Sequence, residues 1–133
     1  MNHLVVFDTN VLVSYLLSST KVSAVKIAVR QMTSGKATPV FSNAIMTEYE
    51  DVLNRKKFYF PENEVRILLD LVFKNGLYVL SRPTSVQFTD KSDKPFYDAA
   101  VTTGAWLVTG NKRHFPQESF IVSPAEWLER MEN

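Results

Sequence analysis

The chain has 133 residues, of which 45% are hydrophobic and 22% charged, so it is ordinary for a globular protein and long enough for a single domain, residues 1–133. Its 15 basic and 14 acidic residues leave a net charge of +1, which neither supports nor excludes a nucleic-acid partner, and the absence of cysteine excludes disulfides and thiolate metal sites. No signal peptide is evident and no apolar run approaches the roughly 18 residues of a membrane span, so we expect a cytoplasmic protein with no membrane partner.

Short apolar runs alternate with helical patterns along the chain. The predicted strands are residues 4–7, 38–41, 77–80, 106–109 and 120–122. The predicted helices are residues 11–17, 23–34, 43–55, 61–74 and 94–103, with a last helix opened by the capping-box spacing of Ser123 and Glu126. Strands that alternate with helices predict an α/β fold in three layers, a mostly parallel central sheet with helices on both faces.

Several residues are expected to end or begin these helices. Gly35 and Gly104 suit helix C-termini, and Ser42 and Asp93 suit N-caps. Residues 18–20, Ser-Ser-Thr, are expected to break the chain after the first helix.

Asp8 follows the first predicted strand directly. A buried strand that ends in an acid delivers a carboxylate to the sheet edge where open α/β folds bind ligands. An anion at that place is costly unless cations or hydrogen-bond donors surround it.

Glu48 and Asp93 are the next acids at unusual places. Glu48 falls on the apolar stripe of its helix, although a solvent-facing glutamate or one paired with Arg55 is the plainer interpretation. Asp93 is explained equally well as a helix cap. Asp90 is expected in an exposed turn, and Asp98 on a solvated helix face.

In a doubly wound sheet, Asp8, Glu48, Asp93 and the polar residues 109–111 can all lie at one edge. Three carboxylates there would repel and raise one another's pKa, which a hard cation such as Mg²⁺ or Mn²⁺ would relieve. The two histidines, His3 and His114, do not have the spacing of zinc ligands and are expected to be ordinary surface or core residues.

Four short motifs occur in order along nearly the whole chain: Val-Val-Phe-Asp8-Thr-Asn10, Thr47-Glu48-Tyr49, the run from Asp93 to Ala100, and Leu107-Val-Thr-Gly-Asn111. Together they resemble the PIN-domain family, in particular the VapC-like toxins of toxin–antitoxin pairs.

The resemblance implies a metal-dependent ribonuclease with Mg²⁺ or Mn²⁺ bound by Asp8, Glu48 and Asp93. It implies supporting roles for Asn10 and Thr109, an antitoxin partner and a homodimer. Asn111 departs from the family pattern, because members often have a further acid there. An amide can still ligate a metal or a bridging water, but it removes one negative charge.

Basic and aromatic residues supply candidates for RNA contact. Lys112 and Arg113, next to His114, follow the strand end most closely, and Arg55-Lys56-Lys57 and Lys21 with Lys26 and Arg30 are further candidates. The three aromatic residues 58–60 suit base stacking, although packing in the core or at a dimer interface is the simpler expectation.

Other functions remain open on the sequence alone. An aspartyl-nucleophile phosphatase also places an Asp behind the first strand, but it usually carries a second Asp where this chain has Asn10. A nuclease for DNA or structured RNA would use the same site. A catalytically weak or inactive binding module is the non-enzymatic alternative, and Asn111 is its main support.

Overall fold

The structure is a computed structural model that describes residues 3–18 and 23–131. Lys21 and most of the expected break at 18–20 therefore lie outside the described residues. The strands are β1 (His3–Phe7), β2 (Ala37–Phe41), β3 (Leu77–Tyr78), β4 (Trp106–Val108) and β5 (Ile121–Val122). The α-helices are α1 (Thr9–Leu17), α2 (Ala24–Ser34), α3 (Asn43–Leu53), α4 (Glu62–Asn75), α5 (Lys94–Thr103) and α6 (Pro124–Met131). Short 3₁₀ helices cover Lys56–Phe58, Lys91–Asp93 and Lys112–His114.

Within the described residues the strands form one five-stranded sheet in the order β3-β2-β1-β4-β5, with every neighbouring pair parallel. Helices flank the sheet, so the predicted α/β sandwich is confirmed. From β1 the chain adds β2 and β3 on one side, then crosses back to add β4 and β5 on the other side, so the carboxyl ends of β1 and β4 form the switch point of the sheet. Ligands bind at such a crevice in open α/β folds.

The apolar runs that predicted strands form the core. Val5, Val6 and Phe7 of β1 are buried, as are Leu107 and Val108 of β4. A strand buried on both faces reads as a continuous apolar run because side chains alternate between two covered faces. This burial holds the ends of β1 and β4 firmly in place.

Several predicted helix boundaries are confirmed. Gly35 and Gly104 follow α2 and α5 with φ of 82° and 71°, a left-handed conformation that glycine adopts at low cost. Ser42 accepts a hydrogen bond from Ile45 N at the start of α3. Ser123 and Glu126 make both hydrogen bonds of a capping box.

Several predicted ends differ from the structure by one or two residues: α3 ends at Leu53 rather than 55, β4 ends at Val108 rather than 109, and β5 begins at Ile121 rather than 120. Two further differences have a clear physical cause. The strand expected at 77–80 ends at Tyr78, because it pairs only with the last two residues of β2 at the edge of the sheet. The first helix begins at Thr9 rather than Val11, since the Asp8 carboxylate accepts a hydrogen bond from Thr9 N and caps it. No helix in residues 3–18 or 23–131 is long and apolar enough to cross a membrane.

Candidate functional site

The side chains of Asp8 and Thr109 meet where β1 and β4 end. Pairing of Phe7 with Val108 places the next residue of each strand side by side. Asp8 N donates to Val108 O at 2.9 Å, and Thr109 Oγ1 donates to Asp8 Oδ2 at 2.8 Å. Both residues are buried. The register of the sheet therefore fixes the carboxylate of Asp8.

Helix α3 brings Glu48 to the same place. The neighbouring residue Tyr49 is buried, and its hydroxyl donates to the carbonyl of Phe7, directly before Asp8. Arg55 makes its ion pair with Asp51 at 3.1 Å, not with Glu48. Glu48 is half-buried and lines a pocket with Asp8, which supports the placement expected from the apolar stripe.

Asp93 approaches from the start of α5. It occupies the N-cap position, but its side chain makes no capping hydrogen bond, so the expected capping role is wrong. Its Oδ2 lies 3.3 Å from Nδ1 of His114. The preceding residues already form a 3₁₀ turn that runs into the helix, which leaves the carboxylate of Asp93 available to the pocket.

These side chains enclose a pocket of about 350 Å³, hereafter the acidic pocket. It is lined by Asp8, Thr9, Asn10, Glu48, Arg55, Asp90, Ser92, Asp93, Phe96, Asn111 and His114. Thr109, Lys112 and Arg113 do not line it, although Thr109 touches Asp8 from beneath. The ammonium of Lys112 is held by Glu126 at 2.9 Å.

Burial and mutual repulsion favour the protonated forms of these acids. Burial raises the pKa of Asp8 from 3.8 to about 6, and the charge of Asp93 adds to this, against the lowering effect of the Thr109 hydrogen bond. Burial also raises the pKa of Asp93, with a further contribution from Asp90. The pKa of Glu48 is raised by burial and then by Asp51. The pocket therefore favours a cation.

Asn10 and Asn111 make hydrogen bonds with polar groups next to the acids. Asn10 Oδ1 accepts from Gly110 N at 3.0 Å, which ties the loop after β4 to the start of α1. Asn111 N donates to Thr109 Oγ1 at 3.0 Å, and Asn111 Nδ2 lies 2.9 Å from Nε2 of His114. Thr109 thus contacts both Asp8 and the residue that departs from the family pattern.

Comparison with known proteins identifies the family. A sequence model described as the PIN domain matches residues 4–113. The chain belongs to the PIN-domain family. PIN domains are typically metal-dependent nucleases. No curated protein and no solved structure matches this PIN domain.

The acidic pocket of this PIN domain suits a hard divalent cation. Its donors are carboxylate and amide oxygens, and the buried carboxyl of Asp8 has a raised pKa that a cation would lower. Within residues 3–18 and 23–131, no three acidic or histidine side chains converge closely enough to hold one ion. Asp8 and Asp93 would hold such a cation, and Mg²⁺ usually keeps several water ligands beside one or two carboxylates.

His114 and Asp98 make contacts that their sequence interpretations missed. His114 is exposed, as expected for a surface residue, but it also lines the acidic pocket between Asp93 and Asn111. Its position three residues after Asn111, past a strand end, was the available signal. Asp98 is not solvated: it is buried, accepts from Thr84 N and Oγ1, and pairs with Lys94 at 2.9 Å.

Proposed function

We propose that this PIN domain is a ribonuclease that uses Mg²⁺ or Mn²⁺ to hydrolyse RNA phosphodiester bonds at the acidic pocket. The observation that supports it most is the convergence of Asp8, Glu48 and Asp93 on one pocket of about 350 Å³. They come from three separate parts of the chain, and all three line the acidic pocket.

Asp8 and Asp93 are the proposed metal ligands. Asp8 is fixed by Thr109 and by the sheet, and Asp93 is held by His114. A bound divalent cation would lower the pKa of a water ligand and neutralise charge that develops on the phosphate. Asn10 and Thr109 would keep the first acid in place, as groups behind a metal ligand commonly do.

Glu48 is the proposed proton acceptor. Its pKa is raised by burial, and its carboxylate shares the pocket with the two proposed ligands. In the proposed reaction a water oxygen bonds to phosphorus, its proton passes to Glu48 and one P–O bond breaks. The leaving oxygen then takes up a proton from solvent. A base whose pKa lies closer to neutrality is better matched to this transfer.

A panel of substrates tests the proposal. The protein is incubated with single-stranded RNA, double-stranded RNA, the matching DNA and a phosphate monoester, each with Mn²⁺ and with EDTA. Cleavage of RNA that needs Mn²⁺ is expected. Cleavage of DNA but not RNA would indicate a deoxyribonuclease instead. Release of phosphate from the monoester alone would favour a phosphatase. Among the described residues no lysine lines the acidic pocket, so little monoester hydrolysis is expected.

A PIN-domain binding module without catalysis is the second candidate, and Asn111 favours it. The amide removes one charge from the pocket and is engaged with His114. Titration with Mn²⁺ separates the candidates. Binding that Asp93→Ala abolishes supports an intact metal site, whereas no binding by the wild type supports a scaffold.

We also propose that residues 1–133 act as one domain and serve in the cytoplasm as the toxin of a toxin–antitoxin pair. The support is the likeness of the four motifs to VapC-like toxins. The partners would then be a cognate antitoxin and a second copy of the chain. Co-expression with the product of a neighbouring short reading frame tests this, because an antitoxin should copurify with the protein and suppress RNA cleavage.

A further inference from the structure

Residues 55–60 form an exposed basic and aromatic stretch at the rim of the acidic pocket, hereafter the 55–60 segment. Arg55 lines the pocket itself. The chain then makes one turn of 3₁₀ helix over Lys56–Phe58 and reaches Pro61, which precedes α4. The roles proposed above for the acids leave these side chains without a function.

Two phenylalanines anchor the segment. The rings of Phe58 and Phe60 stack with their centroids 5.1 Å apart and an angle of 6° between their planes. Phe60 packs against the hydrophobic core, and Lys57 Nζ lies 5.1 Å from the centroid of the Phe58 ring. Phe60 therefore packs against the core as expected, and Phe58 is held through its stacking on Phe60.

Tyr59, between the two phenylalanines, points away from the protein. Tyr59 is 88% exposed, so the expectation that it packs in the core is wrong, while its alternative, contact at a dimer interface, stays a prediction. In the described chain it is the one non-glycine residue with a positive φ, 55°, a conformation that bulky residues rarely adopt. Because Phe58 and Phe60 on either side face each other, this turn directs the tyrosine ring into solvent. The result is a flat aromatic surface on an anchored support.

The charges around Tyr59 suit a polyanion. Lys56 and Lys57 are exposed and make no ion pair with any residue that the structure describes. A second cleft, of about 360 Å³, lies between α3 and α4. It is lined by Glu50, Glu62 and Asp70 against a single arginine, Arg66, and would repel phosphates. The 55–60 segment is the more suitable route to the acidic pocket.

We propose that the 55–60 segment binds single-stranded RNA next to the site of cleavage, with one base stacked on Tyr59 and with Lys56 and Lys57 at the phosphates. Exposed aromatics beside cations bind single strands in this way, because every base has a π-face. Four peptide units separate Arg55 from Tyr59, which limits their Cα distance to about 15 Å. The stacked base therefore lies within a few nucleotides of the phosphate that is cleaved.

This inference rests on the proposed ribonuclease function and adds that the substrate is unpaired at the 55–60 segment. The binding test uses the full chain with Asp8→Asn, so that RNA is not consumed, and follows the fluorescence anisotropy of a labelled single-stranded RNA. Adding Tyr59→Ala should weaken binding by about 5- to 150-fold, the range for one lost stacking contact. Tyr59→Phe should restore it, and Tyr78→Ala, which removes another exposed tyrosine, should have no effect.

A single abasic nucleotide moved along the strand locates the stacked base. In the protein that keeps Tyr59, the abasic nucleotide should weaken binding when it occupies one particular position. In the Tyr59→Ala variant, an abasic nucleotide at that position should cause no further loss of affinity, because the two changes remove the same contact. Double-stranded RNA should bind equally well with and without Tyr59→Ala. Replacing Lys56 and Lys57 by Gln should reduce the slope of log affinity against log salt by about 1.4, the value for two lost phosphate contacts on a single strand.

The outcomes separate this inference from the proposed function. If the protein with Asp8 intact cleaves RNA and Tyr59→Ala changes neither single-strand affinity nor KM, the stacking site is wrong while the ribonuclease stands. If Tyr59→Ala changes only the oligomeric state measured by analytical ultracentrifugation, the segment is a contact between two copies of the chain and the inference fails. If the wild type neither binds nor cleaves RNA, both proposals are wrong.

Discussion

The Nδ1 atom of His114 lies 3.3 Å from Oδ2 of Asp93, and this contact joins the loop after β4 to the start of α5. The other ring nitrogen of His114 is 2.9 Å from Nδ2 of Asn111. The imidazole thus contacts both Asp93 and Asn111, the residue at which many family members have a further acid. It is well placed to orient the carboxylate of Asp93 for a metal ion.

Removing this imidazole should weaken metal binding. His114→Ala is expected to reduce Mn²⁺ affinity about tenfold, because groups that orient a metal ligand commonly have effects of this size. His114→Asn, whose amide can replace the donor of Nδ1, should recover most of the loss. Electron paramagnetic resonance of free Mn²⁺ measures both. Equal losses in the two variants would show that orientation of Asp93 is not the role of His114.

Adding the missing acid should strengthen metal binding. Asn111→Asp adds a carboxylate beside Asp8 and Asp93, so Mn²⁺ should bind about tenfold more tightly, which corresponds to about 1.4 kcal/mol. Isothermal titration calorimetry gives the affinity and the number of ions. An unchanged affinity would place the side chain of residue 111 outside the metal's reach.

The stability of the metal-free protein should depend on the ionisation of Asp8. Burial raises its pKa from 3.8 to about 6, so between these values the folded state holds a proton that the unfolded state has lost. The free energy of unfolding should therefore fall as pH rises through this window, by about 3 kcal/mol in full.

Urea denaturation in EDTA at a series of pH values measures this dependence. The substituted side chain in Asp8→Asn cannot ionise. The free energy of unfolding of this variant should therefore fall less as pH rises, and the variant should be more stable than the wild type above pH 6. Added Mg²⁺ should stabilise the wild type above pH 6 and have little effect near pH 4, where protons compete for the ligands. An identical pH dependence of wild type and Asp8→Asn from pH 4 to 6 in EDTA would contradict the raised pKa of Asp8.

Asp98 should be far more important for stability than its sequence position indicates. It is buried and binds Lys94 and Thr84, so Asp98→Ala leaves a partly buried cation without its carboxylate and should cost about 3 kcal/mol. Asp51 forms an ion pair with Arg55 at the same helical spacing but in solvent, so Asp51→Ala should cost no more than about 0.5 kcal/mol. Thermal and urea denaturation compare the two. Similar costs would show that burial of the Asp98 pair contributes little.

The fold and the acids were largely predictable from local patterns. Runs such as Val5-Val6-Phe7 mark buried parallel strands, and Gly35 and Ser42 mark the helix ends. The meeting of Asp8 with Thr109 follows from the rule that parallel strands present their carboxyl ends at one edge, because each residue directly follows a strand. These features depend on residues close to one another in sequence and on one general rule of topology.

The rest depended on contacts that sequence spacing does not encode. His114 and Asp93 are far apart in the chain and meet through the pairing of β1 with β4 and the packing of α5. Asp98 is buried because residue Thr84 of a long loop folds over α5, and a helical pattern cannot show what a loop covers. Tyr59 is exposed because its aromatic neighbours stack on each other, whereas its residue type alone favours burial.

The proposed ribonuclease activity requires Asp8, so the decisive quantity is the rate at which Asp8→Asn, relative to the wild type, cleaves a defined single-stranded RNA with Mn²⁺. Asp70→Asn, an exposed aspartate of α4 outside the acidic pocket, is the matched control. We predict that the wild type and Asp70→Asn cleave at similar rates and that Asp8→Asn, although folded, loses at least about a hundredfold, because it removes a metal ligand from the reacting site. Undiminished cleavage by Asp8→Asn would show that the acidic pocket is not the site of hydrolysis.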